Sequence, residues 1–149
     1  MLFFLILSNC NLLAQNQFIT HDFIQEPLKI YQYRVKKEQE RTKITTIKKH
    51  EVIISFKEGF KDSLVVLVED SLYLKAFVQS DIYGRGWSDT SFKINFRSFK
   101  KQHLTITFVL PEHKRYVTFK LNTSHRLLKV HHVESLWEIT KTDYIPEYQ

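Results

Sequence analysis

From about residue 50 onward, apolar and polar residues alternate one by one in short runs. This pattern constrains the fold more than any other feature of the chain. Successive side chains of a strand point to opposite faces, so alternation of period two gives a strand one face for a core and one for water. Val52, Ile54 and Phe56 alternate with Glu51, Ser55 and Lys57. Leu64, Val66 and Val68 form the next apolar face, with Val65 and Leu67 opposite, which predicts a strand over 63–69 buried on both sides. Asp70-Ser71 then has the length of a tight hairpin loop, although the favoured Asn-Gly or Asp-Gly is absent. Leu72, Leu74, Ala76 and Val78 return on one face.

The alternation resumes with Phe92, Ile94 and Phe96 against Lys93, Asn95 and Arg97. Leu104, Ile106, Phe108 and Leu110 follow, interleaved with Thr105 and Thr107. Pro111 closes that run, because it has no N–H to continue a ladder. Further strands are expected over 116–121, 127–133 and 135–140, with Asn122-Thr123-Ser124 as a turn between the first two. Upstream, 28–35 and 41–48 fit strands joined by a charged turn at 37–40, although 36–41 also has helix-forming composition.

Short strands at this spacing, with almost no helical periodicity, predict an all-β fold. The expected architecture is a single antiparallel β-sandwich of about eight or nine short strands. A small up-and-down β-barrel enclosing a ligand is the alternative. No repeat, linker or low-complexity segment divides the chain, so one domain is expected over 15–149.

Residues 1–14 have a different character. Leu2 to Leu7 are all apolar, Ser8-Asn9-Cys10-Asn11 interrupt, and Leu12-Leu13-Ala14 end on a small residue before the polar Gln15-Asn16-Gln17. This is the layout of a secretory signal peptide, with the mature chain starting near Gln15. Leu7-Ser8-Asn9-Cys10 also has the layout of a lipoprotein box, in which Cys10 would carry a lipid anchor. The run is shorter than the roughly 20 apolar residues of a transmembrane span. The sequence therefore predicts an exported protein: periplasmic, cell-surface or secreted. Cys10 is the only cysteine, and cleavage near Ala14 would remove it, so the mature domain is expected to have neither a disulfide nor a thiolate metal site.

The formal net charge of +6 is unevenly placed. Residues 29–50 hold Lys29, Arg34, Lys36, Lys37, Arg41, Lys43, Lys48 and Lys49 against Glu38 and Glu40. Residues 93–120 hold Lys93, Arg97, Lys100, Lys101, Lys114, Arg115 and Lys120 against Glu112. If these two stretches meet in space they form a positive face for an anionic partner. An anionic polysaccharide or an envelope protein is expected there, whereas nucleic acid fits poorly with export.

Chemistry-bearing motifs are sparse. His131 and His132 are adjacent and fall on opposite faces of a strand, while His103, His113 and His125 lie near turns. No H-E-x-x-H and no G-x-S-x-G occurs, so neither a metal, a cofactor nor a catalytic residue is assigned. Trp137, between Leu136 and Ile139 in a strand-like run, is expected in the core. The loop over 80–91 holds two of the three glycines, Gly84 and Gly86, together with Tyr83, Arg85 and Trp87. Aromatic rings and Arg are favoured at binding hot spots, so Tyr83, Arg85 and Trp87 are the expected ligand contacts. The sequence thus predicts an exported, non-catalytic module binding a glycan, peptide or envelope polymer. A structural envelope protein and a lipocalin-like barrel holding an apolar ligand are the other readings.

Overall fold

The computed structural model describes residues 18–32, 48–57, 60–79 and 91–142. The expected signal peptide, Cys10, the charged turn at 37–40 and the loop residues 80–90 lie outside the described residues. Ten strands and one short 3-10 helix are present among those described: β1 (Ile24–Gln25), β2 (Leu28–Gln32), β3 (Glu51–Phe56), β4 (Lys61–Val68), β5 (Ser71–Gln79), β6 (Ser91–Asn95), the 3-10 turn (Phe96–Ser98), β7 (His103–Leu110), β8 (Arg115–Asn122), β9 (Leu127–Val133) and β10 (Leu136–Thr142). They form two five-stranded sheets, ordered β1-β8-β7-β4-β5 and β2-β10-β9-β3-β6. The chain is all-β, mostly antiparallel, and has the two separate sheets of a β-sandwich; it is not closed into a barrel.

The chain divides into two compact units, each built on one sheet. The first comprises Met1–Glu26, Asp62–Val78 and His103–Leu121, the second Pro27–Lys61, Gln79–Gln102 and Asn122–Gln149. In the first, β4 and β7 pair antiparallel with Val66 opposite Phe108 and Val68 opposite Ile106. These residues are completely or almost completely buried, as are Leu64, Leu104, Leu110 and Leu121. Phe108 meets Phe119 edge-on, with ring centroids 5.2 Å apart. The other face of β4 is buried too, as its double-sided apolar sequence predicts. Val65, Leu67 and Val109 form a cluster covered by Phe18, Ile19, Phe23 and Tyr116.

The N-terminal segment is fastened to this unit by backbone and side chains. β1 runs parallel to β8, Ile24 N–H donates to the Lys114 carbonyl (2.9 Å) and Glu26 N–H to that of Tyr116 (2.8 Å). Lys114 Nζ lies 2.6 Å from Asp22 Oδ2. The hydrogen bonds from Lys114 and Thr20 hold the Asp22 carboxyl at a pKa of about 2.

In the second unit, Val52 and Ile54 of β3 face Ile94 and Phe92 of β6, and Ile54 faces Leu128 of β9. Trp137 is fully buried, in agreement with its expected place in the core. Its ring lies 6.4 Å from that of Phe60 and 4.4 Å from the His132 imidazole, and Phe60 in turn lies 4.7 Å from Phe56. His131 is on the opposite face, as expected, with Nδ1 3.6 Å from a carboxylate oxygen of Glu138.

Ten strands are described where about eight or nine are expected. Phe96 opens a 3-10 turn where the alternation places it on the strand with Phe92 and Ile94. Two further details also differ from the sequence expectation. The β4–β5 loop is Glu69-Asp70, one residue earlier than Asp70-Ser71. Glu69 and Asp70 have φ of 52° and 63°, and Glu134 and Ser135 of the β9–β10 loop have 47° and 65°. Two successive left-handed residues make the I′ turn whose twist matches its flanking strands. Glycine would occupy such positions without steric cost, but this chain has only three. Second, β1–β8, β2–β10 and β3–β9 are parallel pairs. Their members are remote in sequence, so no tight turn dictates their direction.

Candidate anion-binding site

The pairing of β3 with β6 builds the site. Glu51 lies opposite Asn95 in an antiparallel register, so the residues preceding β3 run alongside those following β6. Phe96 N–H donates to the His50 carbonyl (2.8 Å), which locks the two segments together. The chain after β6 turns tightly. Asn95 caps the 3-10 turn by accepting from Arg97 N–H through its side chain (3.0 Å). Phe99 N–H donates to the Phe96 carbonyl (3.1 Å) and Lys100 N–H to that of Arg97 (3.3 Å). Lys100 then takes a left-handed backbone with φ of 53°, turning the chain toward β7. Phe96 is 4% exposed and anchors this turn from below.

These elements border an open surface cavity of about 380 Å³. Lys49 and His50 line it from before β3, and Arg97, Lys100, Lys101 and Gln102 from the turn. Phe96 and Thr123 complete the wall. Lys49, Arg97, Lys100 and Lys101 are exposed and His50 half-buried. No carboxylate lines the cavity among the described residues. Glu51, next to His50 in sequence, has its carboxylate 3.3 Å from Lys93 Nζ. Desolvation pushes the Glu51 carboxyl up, but the hydrogen bond and charge of Lys93, with the charge of Lys48, more than offset this and hold it below the ordinary value. Its negative charge is therefore answered by those two lysines.

Such a wall is suited to electrostatic recognition. Arg97 offers a planar donor fork, Lys49, Lys100 and Lys101 offer point charges, and Gln102 and Thr123 offer neutral hydrogen-bonding groups. Each exposed cation gains about 1 kcal/mol from an anion at 4 Å in water. Salt screens such contacts over roughly 10 Å. The cavity wall has no carboxylate pair and no Ser–His or Cys–His arrangement among the described residues.

A second depression of about 410 Å³ lies in the first unit, lined by Glu69, His103, Leu104, Thr105 and Lys120. Here one carboxylate balances one lysine, and Glu69 already accepts the Thr105 N–H at 2.6 Å. No group of three or more His, Cys, Asp or Glu placed to hold a metal occurs among the described residues.

The sequence-predicted contacts Tyr83, Arg85 and Trp87 lie outside the described residues. The cavity takes residues from both of the basic stretches singled out by their charge. Lys49 ends the first, and Arg97, Lys100 and Lys101 belong to the second. Sequence reasoning noted the stretches without selecting these four residues. Their signal was the basic turn over 97–101 placed between two apolar strand faces. No family model matches the chain, and neither does any curated protein or solved structure.

Proposed function

We propose that the protein is a non-catalytic binding module that holds an anionic partner in the basic cavity of its second unit. The observation that carries this reading is the convergence of Lys49, Arg97, Lys100 and Lys101 on one cavity whose described wall contains no carboxylate. A wall of one sign focuses the field, attracts an oppositely charged partner and raises its local concentration. The predicted export of the chain puts that partner outside the cytoplasm, where surface polymers and envelope proteins carry fixed negative charge.

The test is a binding screen of the full chain against immobilised polyanions, repeated with Arg97→Glu/Lys101→Glu. The double variant should lose at least tenfold in affinity while its melting temperature stays within a few degrees. Equal binding by the variant would remove the cavity from consideration. Arg85→Ala and Trp87→Ala belong in the same screen. A loss of binding confined to those two variants would move the site to the loop over 80–91. Export is tested separately by mass spectrometry of the protein from its native host. It should start near Gln15 or carry a lipid on Cys10; a species starting at Met1 would contradict export.

A further inference from the structure

We infer that the occupant of the basic cavity is an anionic polysaccharide, engaged along several repeating charges. This rests on the anion-binding reading above and narrows it to a substrate class. Three features of the cavity support it.

The first is the placement of charge. The permanent cations all sit on exposed side chains. A single small anion would compete there with water and salt at every contact. A polymer with a fixed charge on each repeat engages several cations together and releases its own condensed counterions, so weak contacts combine into useful affinity.

The second feature is the rigidity of the presenting turn. Arg97 and Lys100 are held by the Asn95 cap, the Phe99 and Lys100 backbone hydrogen bonds and the buried Phe96 ring. The frame fixes the backbone positions from which the Arg97 and Lys100 side chains project, so only side-chain freedom is lost when a polymer binds.

The third feature separates a polysaccharide from a single-stranded nucleic acid. Sequence-tolerant binding of such strands relies on exposed aromatic rings on which bases stack. Among the described residues of this wall the one phenyl or indole ring, that of Phe96, is 4% exposed and offers no stacking platform. Gln102, Thr123 and His50 instead present hydrogen-bonding groups between the cations, suited to sugar hydroxyls.

The test is titration of the full chain with dextran sulfate, polygalacturonate, glucose 6-sulfate and a single-stranded oligothymidylate at several salt concentrations. Three cationic contacts, from Lys49, Arg97 and Lys100, at roughly 0.7 each predict a slope of log K against log salt near −2, hence a loss of about 20-fold between 50 and 200 mM salt. At least one polysaccharide should bind with that slope, more than about 100-fold tighter than glucose 6-sulfate and tighter than the oligothymidylate of equal charge. The two polysaccharides separate sulfated from carboxylated sources. Lys100→Gly is the informative variant, because glycine accepts the left-handed backbone of Lys100 while removing its charge. It should make the slope about 0.7 less steep without loss of thermal stability. Equal binding of glucose 6-sulfate and polymer would replace this proposal by a compact-anion site. A preference for the oligothymidylate would replace it by nucleic acid. In both cases the cavity reading survives if Lys100→Gly and Arg97→Ala weaken binding. If neither variant alters binding of any probe, both the proposal and the cavity reading fail.

Discussion

Replacing Phe108 by alanine tests the packing account at its most buried point. Phe108 is completely shielded from solvent, sits on the central strand β7 opposite Val66 and meets Phe119 edge-on. Losing the transfer free energy of the ring costs about 2–3 kcal/mol. A residual void of roughly 60 Å³, at about 24 cal/mol per Å³, adds about 1.5 kcal/mol. Loss of the aromatic pair adds about 0.5 kcal/mol. Phe108→Ala should therefore destabilise by about 4–5 kcal/mol. With a urea m-value of about 2 kcal/mol/M, the midpoint should fall by roughly 2 M. Phe77→Ala provides the control within the same unit, because Phe77 on β5 is 57% exposed. Its cost should stay below about 0.5 kcal/mol. Equilibrium urea denaturation followed by Trp fluorescence and circular dichroism measures both. A cost below about 1 kcal/mol for Phe108→Ala, or equal costs for the two variants, would refute the assignment of faces on β7 and β5.

The turns and charged pairs give further expectations. Ser135→Gly should raise stability by about 0.5 kcal/mol in the same urea assay, because it relieves a left-handed residue at a smaller cost in chain entropy. Ser135→Val should lower it by about 1–2 kcal/mol, since a β-branched residue tolerates positive φ poorly. Carbon-detected NMR should show the Asp22 carboxyl titrating at about 2, and Lys114→Ala should move the midpoint toward the ordinary value near 4. Because the folded pKa lies below the unfolded one, Asp22 contributes its stability above about pH 4 and loses it as pH falls through about 2. Glu51→Gln removes the carboxylate that answers Lys93 and Lys48, so polyanion affinity at fixed low salt should rise a few-fold.

The strands were legible because their signal is local. Alternation at Val52–Phe56, Leu64–Val68 and Leu104–Leu110 depends only on which residues share a face, and those faces are buried. The same rule reached less far on β5. Leu72, Leu74, Ala76 and Val78 do share a face, but Leu72 is 51% exposed while Val78 is 1% exposed. Periodicity identifies a common face and cannot say whether another element covers it. β5 is an edge strand among the described residues, where cover is least complete. The hairpin loop was misplaced by one residue because its left-handed positions are filled by Glu69 and Asp70, outside the usual glycine signature.

The candidate site was legible only as charge. Lys49 and Arg97 are 48 positions apart in sequence, and no local pattern states that they share a cavity. That follows from the antiparallel register of Glu51 with Asn95, a long-range pairing. A register shift of one residue would turn the flanking side chains to the other face. The two basic stretches therefore pointed to the proposed anionic partner, while the residues that share the cavity were brought together by topology.

The central claim is that anions are held at the turn after β6. It is tested most directly by amide NMR mapping of the full chain during titration with dextran sulfate at low salt. The account predicts that the largest shift changes cluster at Lys49, His50, Arg97, Lys100, Lys101 and Thr123, and that they reverse when salt is added. Changes centred elsewhere, on the Leu72–Phe77 edge of β5 for instance, or no saturable change at those six residues, would contradict it.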